Sequence, residues 1–125
     1  MKKTYLAIAA LLGFLGVVAG ALGAHALRHV LEGSSLQAYR TAVLYQMMHV
    51  LTVLMLPALP LTAKAKNRTA FLFLAGIFLF SGSIYWRTTT DYFPNKLIYL
   101  TPTGGLLLMA GWLFLAWSIL RKKQS

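Results

Sequence analysis

No charged side chain interrupts the sequence from Tyr5 to Leu27. At ~1.5 Å per helical residue that run crosses a hydrocarbon layer of ~30 Å. A backbone in lipid has no water to bond, so a segment of this kind satisfies its N–H and C=O groups by becoming an α-helix. Three more such runs follow, and only 11% of the 125 residues are charged while 58% are hydrophobic. A soluble domain carries roughly 25% charged residues, and the mean hydropathy of +0.67 points the same way. The expected fold is therefore all-α. It is a single polytopic membrane domain over residues 1–125, a four-transmembrane-helix bundle with spans at about 5–27, 41–61, 69–86 and 101–120.

The connections follow from the breaks in hydropathy. Arg28, His29, Glu32 and Gly33-Ser34-Ser35 read as a short loop. Gln37, Tyr39 and Arg40 are too polar for the bilayer centre and are placed at the interface. Pro57 and Pro60 each remove a backbone donor, which predicts a kinked or frayed end to the second span. Ala63 to Arg68 reads as a tight basic turn, and Arg87 to Lys96, with Pro94 and Asn95, as a loop. Thr101-Pro102 has the pattern of a helix start, with Thr as N-cap and Pro at the first helical position. A cleaved signal peptide is the competing reading of the first run, since Lys2-Lys3 and the small-x-small triplets near Ala19 and Ala24 imitate one. Because further spans follow, the first is read as retained.

Charge sets the orientation. Lys2, Lys3, Lys64, Lys66, Arg68, Arg121, Lys122 and Lys123 fall on the side of the termini. Arg28, Arg40, Arg87, Lys96 and both acidic residues, Glu32 and Asp91, fall on the other. The excess places both termini in the cytoplasm, and the address is a cell membrane, the bacterial cytoplasmic one. Tyr39, Trp86, Tyr92 and Tyr99 are expected in the outer aromatic belt, Tyr5 and Trp117 in the inner one. The net charge of +10 has no continuous basic patch behind it, so acidic lipid head groups are the expected partners and nucleic acid is not.

Against this background the polar residues inside spans are conspicuous. On the second helix Thr41, Tyr45, His49 and Thr52 lie within about 80° of one another, with Gln46 about 60° further round. An unsatisfied amide or hydroxyl in hydrocarbon costs several kcal/mol. Tyr45, Gln46 and His49 must therefore face a neighbouring helix or a wet cavity, and two readings stay open, helix packing and ligand binding. Ser81, Ser83 and Tyr85 on the third span, and Thr101 and Thr103 on the fourth, lie at matching depths and join the candidate cluster, together with His25. A second pattern concerns close approach. Gly13, Gly16, Gly20 and Gly23 fall on one stripe of the first helix, and Gly104-Gly105 begin the fourth, so both are expected at tight helix contacts.

Catalytic and metal chemistry find little support. There is no cysteine, and no Asp or Glu lies within any span. His25 and His29, four apart, make half a zinc site, with no Cys and no nearby carboxylate other than Glu32 to complete it. A bis-histidine haem would need His25 and His49 at one depth, which simple counting denies. No catalytic residue, metal or cofactor is expected.

The chain resembles a known family of small bacterial membrane proteins, domain of unknown function 423, related to eukaryotic transmembrane protein 256. The resemblance rests on Gly20-Ala21-Leu22-Gly23-Ala24-His25-Ala26-Leu27, on Arg40 through His49, on Leu79-Phe80-Ser81-Gly82-Ser83-Ile84-Tyr85, and on Thr101-Pro102-Thr103-Gly104-Gly105 with Ala110-Gly111-Trp112. These stretches touch all four spans in order. The resemblance implies an intact first span and a cytoplasmic-membrane address, and it implies no activity. The leading expectation is a non-enzymatic membrane component that binds a lipid, a hydrophobic small molecule or a partner protein through the polar stripe, with homo-oligomer formation open. The alternative is a small oligomeric transporter or channel.

Overall fold

The computed structural model describes residues 1–122; Lys123, counted above among the basic residues of the terminal side, lies outside the described residues. Four helices carry the chain: α1 (Lys3–Ala24), α2 (Gly33–Met55), α3 (Ala63–Thr89) and α4 (Leu100–Arg121). Each is long and apolar enough to cross a membrane. With 22 residues, α1 and α4 are about 33 Å long. Four crossings return the chain to the side where it began, and the Lys2 amide donates to Asn67 Oδ1 at the start of α3 (2.9 Å), which ties that side together.

Successive helices are neighbours. α1 packs on α2, α2 on α3, and α3 most extensively on α4, while α1 barely meets α3. Burial runs opposite to that of a soluble protein. Leu113, Leu11, Phe14 and Leu51 are more than half exposed on the outer surface, where lipid rather than water is the solvent. The interior combines Phe73, Leu74, Ile77, Val50, Val53 and Leu56 with buried Gln46, His49, Thr69, Ser81, Ser83 and Ser118.

Several boundaries differ from those read off the sequence, each for a local reason. α1 ends at Ala24, not Leu27, because the chain turns through a short 3-10 segment, Leu27–His29, that returns Leu31 to the core. α2 begins at Gly33, so the expected loop residues Ser34 and Ser35 are helical. It stops at Met55, and Leu56–Ala58 tightens to 3-10 at Pro57. Leu59, preceding Pro60, is extended (φ −80°, ψ 145°), as the ring of a following proline requires. The basic stretch Ala63 to Arg68 is no turn but the opening of α3, capped by Thr62 Oγ1 accepting the Ala65 N–H (3.1 Å). At its other end α3 runs to Thr89, and the hydroxyls of Thr88, Thr89 and Thr90 donate back to the carbonyls of Ile84, Tyr85 and Trp86. Thr101 is not the N-cap of α4; Tyr99 is. Pro102 therefore takes the third helical position, where a missing N–H is equally without cost.

Gly33 is the one residue with positive φ among those described (54°). A Cβ in the left-handed region costs ~1–2 kcal/mol, and none of this cost comes from crowding, since nothing lies within 4 Å of the position. Gly33→Ala is expected to lower stability in detergent by that amount. An unchanged denaturation midpoint would show that the turn relaxes to another backbone conformation.

Candidate functional site

The polar residues of α2 leave the helix on two sides, and the small residues of the neighbouring helices decide how far they reach. On α1, a Cβ at Gly16 would stand 2.4 Å from Met47 Sδ and 3.3 Å from Gln46 Nε2, and one at Gly23 would stand 2.6 Å from the Tyr39 ring. Gly13 and Gly20 meet Val50 and Val43 more loosely. The glycine stripe thus faces α2. With no side chains in the way, α2 bonds directly to the α1 backbone: Gln46 Nε2 donates to the Leu12 carbonyl and the Tyr39 hydroxyl to the Ala19 carbonyl, both at 2.6 Å.

From α3, the Tyr85 hydroxyl donates to Gln46 Oε1 (2.6 Å), and the Tyr85 and Tyr39 rings pack with centroids 5.3 Å apart. Ser81 Oγ donates to the Ala42 carbonyl (2.8 Å). Gln46 therefore joins three helices at once, with 3% of its surface exposed.

The other side of α2 holds His49. Its Nδ1 lies 2.6 Å from the Tyr45 carbonyl, and its Nε2 lies 3.0 Å from Trp112 Nε1 of α4. A carbonyl only accepts and an indole N–H only donates, so the two partners assign the neutral tautomer with the proton on Nδ1. Phe73 and Trp112 meet the ring edge-on at 5.2 and 5.7 Å, and Tyr45 stacks on Phe80 at 5.1 Å. A metal at Nε2 would have to displace the Trp112 N–H. On α3 and α4, Ser83 and Thr101 share a hydroxyl–hydroxyl bond, and Ser83 also donates to the Phe80 carbonyl.

Gly104 sits against the α3 backbone itself, at Leu79 and Phe80, while Gly105 meets the Phe80 ring. Two further glycines complete this crossing, Gly76 under Leu108 and Gly111 under Phe73.

Three residues of the expected cluster are exposed, among them Tyr45 (37%), whose ring lies against Phe80. His25 caps the end of α1 and is exposed; Thr103 is exposed, with its backbone N–H on the Tyr99 carbonyl. Two others enter the cluster unannounced. Tyr39, assigned above to the outer belt, is 3% exposed and bonded inward. Trp112 stands in the middle of a span, away from the interfaces where tryptophan usually collects, and that position was the available signal.

Two cavities flank the stripe. The larger, about 500 Å³, lies between α1 and α3, where those helices fail to close. Its walls are Leu12, Leu15, Val18, Leu22, Ile77 and Phe78, and its floor is Tyr39, Gln46, Ser81 and Tyr85. Leu15, Leu22 and Phe78 are about half exposed, so the cavity opens sideways toward lipid. The second, about 410 Å³, lies over Tyr45, His49 and Trp112.

A carboxamide has two N–H donors and two acceptor lone pairs. Leu12 and Tyr85 use one of each on Gln46, which leaves one N–H and one lone pair unused on a side chain that lines the larger cavity. Both ring nitrogens of His49, by contrast, are taken.

A family model described as "Protein of unknown function (DUF423)" matches residues 19–105. A UPF0382 membrane protein of Haemophilus influenzae is 40% identical over 99% of both chains. The UPF0382 membrane protein YwdK of Bacillus subtilis is 34% identical over 90% of this chain and 93% of its own. A UPF0382 membrane protein of Schizosaccharomyces pombe is 36% identical over 84% and 92%. No solved structure matches.

Proposed function

The chain belongs to the DUF423 family of membrane proteins, and from that premise we propose a non-enzymatic membrane component that holds one hydrophobic molecule, a lipid or lipid-like compound, in the cavity between α1 and α3. The observation that carries this reading is the combination of apolar walls open to the bilayer with a floor where Gln46 keeps one donor and one acceptor free. About 500 Å³ lies within the range of ligand cavities, which are mostly apolar with a few placed polar groups. A chain running along Leu12 to Leu22 has roughly 15 Å of wall. Its polar end, a carbonyl, hydroxyl or ester, would meet Gln46. The open side admits the molecule from the membrane, with no passage through water.

Gly82 supplies the test. It lines the cavity, and a Cβ there meets nothing within 4 Å, so Gly82→Leu fills the space without disturbing a helix contact. Purified in mild detergent, the wild-type protein is expected to carry a hydrophobic adduct visible by intact-complex mass spectrometry, and Gly82→Leu to lose most of it while unfolding at the wild-type temperature or above. Equal adducts on both proteins would count against the cavity as the binding place.

A further inference from the structure

At the opposite end of the bundle, on the side of the termini, one buried hydroxyl has no partner. Ser118 is 2% exposed, and its Oγ is the only buried side-chain polar atom without a hydrogen bond among the described residues. A buried hydroxyl left unbonded costs ~1–3 kcal/mol. A helical serine has an easy remedy, donation to the carbonyl four residues back. Thr52, Thr69, Thr88 and Thr89 all take it, at 2.6 to 2.9 Å; Ser118 does not. It lines instead a cavity of about 260 Å³ whose other walls are Leu61, Thr62, Ala65, Arg121 and Lys122.

Thr62 and Ala65 belong to the N-terminus of α3, a helix of 27 residues. Thr62 Oγ1 takes the Ala65 N–H and the Thr62 carbonyl takes that of Lys66. The N–H groups of Ala63 and Lys64 have no acceptor among the described residues. Arg121 stacks its guanidinium over the Trp117 ring (4.2 Å), a contact that holds the charge beside the cavity and leaves its N–H groups free. The two acidic residues of the chain, Glu32 and Asp91, lie beyond the other ends of the helices. The Ser118 hydroxyl and the charges of Arg121 and Lys122 therefore meet at this cavity beside the N-terminus of α3, with no Asp or Glu side chain among the described residues to answer them.

We propose that this cavity is an anion site for a phosphate group, held by the Ser118 hydroxyl and the Arg121 and Lys122 side chains beside the N-terminus of α3. A helix N-terminus favours negative charge in this way, and guanidinium matches phosphate oxygens in pairs. The depth is that of lipid head groups, so an acidic phospholipid and inorganic phosphate are the two sources to be separated. The site stands apart from the cavity between α1 and α3 and does not depend on it.

The test uses the full chain in neutral detergent, with thermal unfolding and intact-complex mass spectrometry in the presence of phosphatidylglycerol, phosphatidylcholine or inorganic phosphate. Phosphatidylglycerol is expected to raise the unfolding temperature and remain bound, and phosphatidylcholine to do neither. Arg121→Gln should weaken that binding roughly tenfold, the value of one charge-assisted hydrogen bond. Ser118→Ala should move two readouts in opposite directions. It raises the unfolding temperature without lipid, because an unpaired hydroxyl is gone, and weakens phosphatidylglycerol binding several-fold.

Lys96→Gln, which removes a charge at the other end, should leave binding unchanged. Protection by inorganic phosphate alone also supports the site and makes a free anion its source; protection by phosphatidylglycerol alone makes it a lipid. Equal effects of the two lipids, equal losses in Arg121→Gln and Lys96→Gln, or undiminished binding by Ser118→Ala would each overturn the proposal.

Discussion

Gly104→Val is expected to destabilise the bundle more than any other substitution considered for this chain. The added Cβ would stand 2.2 Å from the Phe80 nitrogen, 2.7 Å from its Cα and 2.8 Å from the Leu79 carbonyl carbon. These are backbone atoms inside a helix, and no rotamer change moves them. α3 and α4 must separate, and the separation is felt along the whole crossing: Leu108 lifts from Gly76, Phe73 from Gly111, and the Ser83–Thr101 and Trp112–His49 bonds lengthen. Overpacking a core typically costs ~1–3 kcal/mol, and a clash against backbone belongs at or above the top of that range. Gly82→Ala, in the lining of the cavity between α1 and α3 where an added Cβ meets nothing within 4 Å, is the matched control; it should gain up to ~1 kcal/mol from helix propensity. Unfolding in mixed micelles, followed by tryptophan fluorescence, measures both. A Gly104→Val protein within ~0.5 kcal/mol of wild type, the usual range for harmless surface changes, would mean that α4 does not cross α3 where the structure places it.

The second large effect is expected at Gln46. Gln46→Leu keeps most of the volume and removes two interhelical hydrogen bonds, one to α1 and one from α3. Such bonds average ~0.6 kcal/mol in membrane proteins and reach ~1.7, and the Tyr85 hydroxyl is left to find another acceptor. A loss of roughly 1–3 kcal/mol follows. Tyr85→Phe removes the same hydroxyl from the other end. In the double variant the orphaned group is absent, so the two losses should add to less than their sum. Strict additivity in the double-mutant cycle would show that Gln46 and Tyr85 do not share a bond. Gln46→Leu should also release the molecule proposed for the cavity between α1 and α3, since the remaining donor and acceptor disappear with the carboxamide.

The contrast between these two positions shows what the sequence makes legible. Four apolar runs and their flanking lysines and arginines specify spans and side, because hydropathy is a property of composition along the chain. The same holds for a glycine stripe, since 3.6-residue periodicity alone puts Gly13, Gly16, Gly20 and Gly23 on one face. Which helix that face meets is tertiary information, and so is the division of the α2 polar stripe between Gln46 and His49. Both lie on one helix, yet they bond in opposite directions. Interfacial tyrosine is common, and nothing in the neighbourhood of Tyr39 along the chain announces the Ala19 carbonyl. The limits of α3 are hidden for a different reason. Ala63 to Arg68 and Arg87 to Thr89 are polar, and polarity ends a span in lipid without ending the helix.

The acceptors that anchor α1 are main-chain carbonyls, those of Leu12 and Ala19. Every amino acid carries one, so the identity of the side chain at either position is no part of the bond. Over evolutionary time α1 is thus free to drift among apolar residues wherever it faces lipid. Selection at this contact acts instead on Gly16 and Gly23, whose lack of a side chain admits the donors, and on Tyr39 and Gln46, which supply them. A tolerance map of the chain should show α1 as a permissive helix with two intolerant glycines, docked on an α2 whose inward face tolerates little.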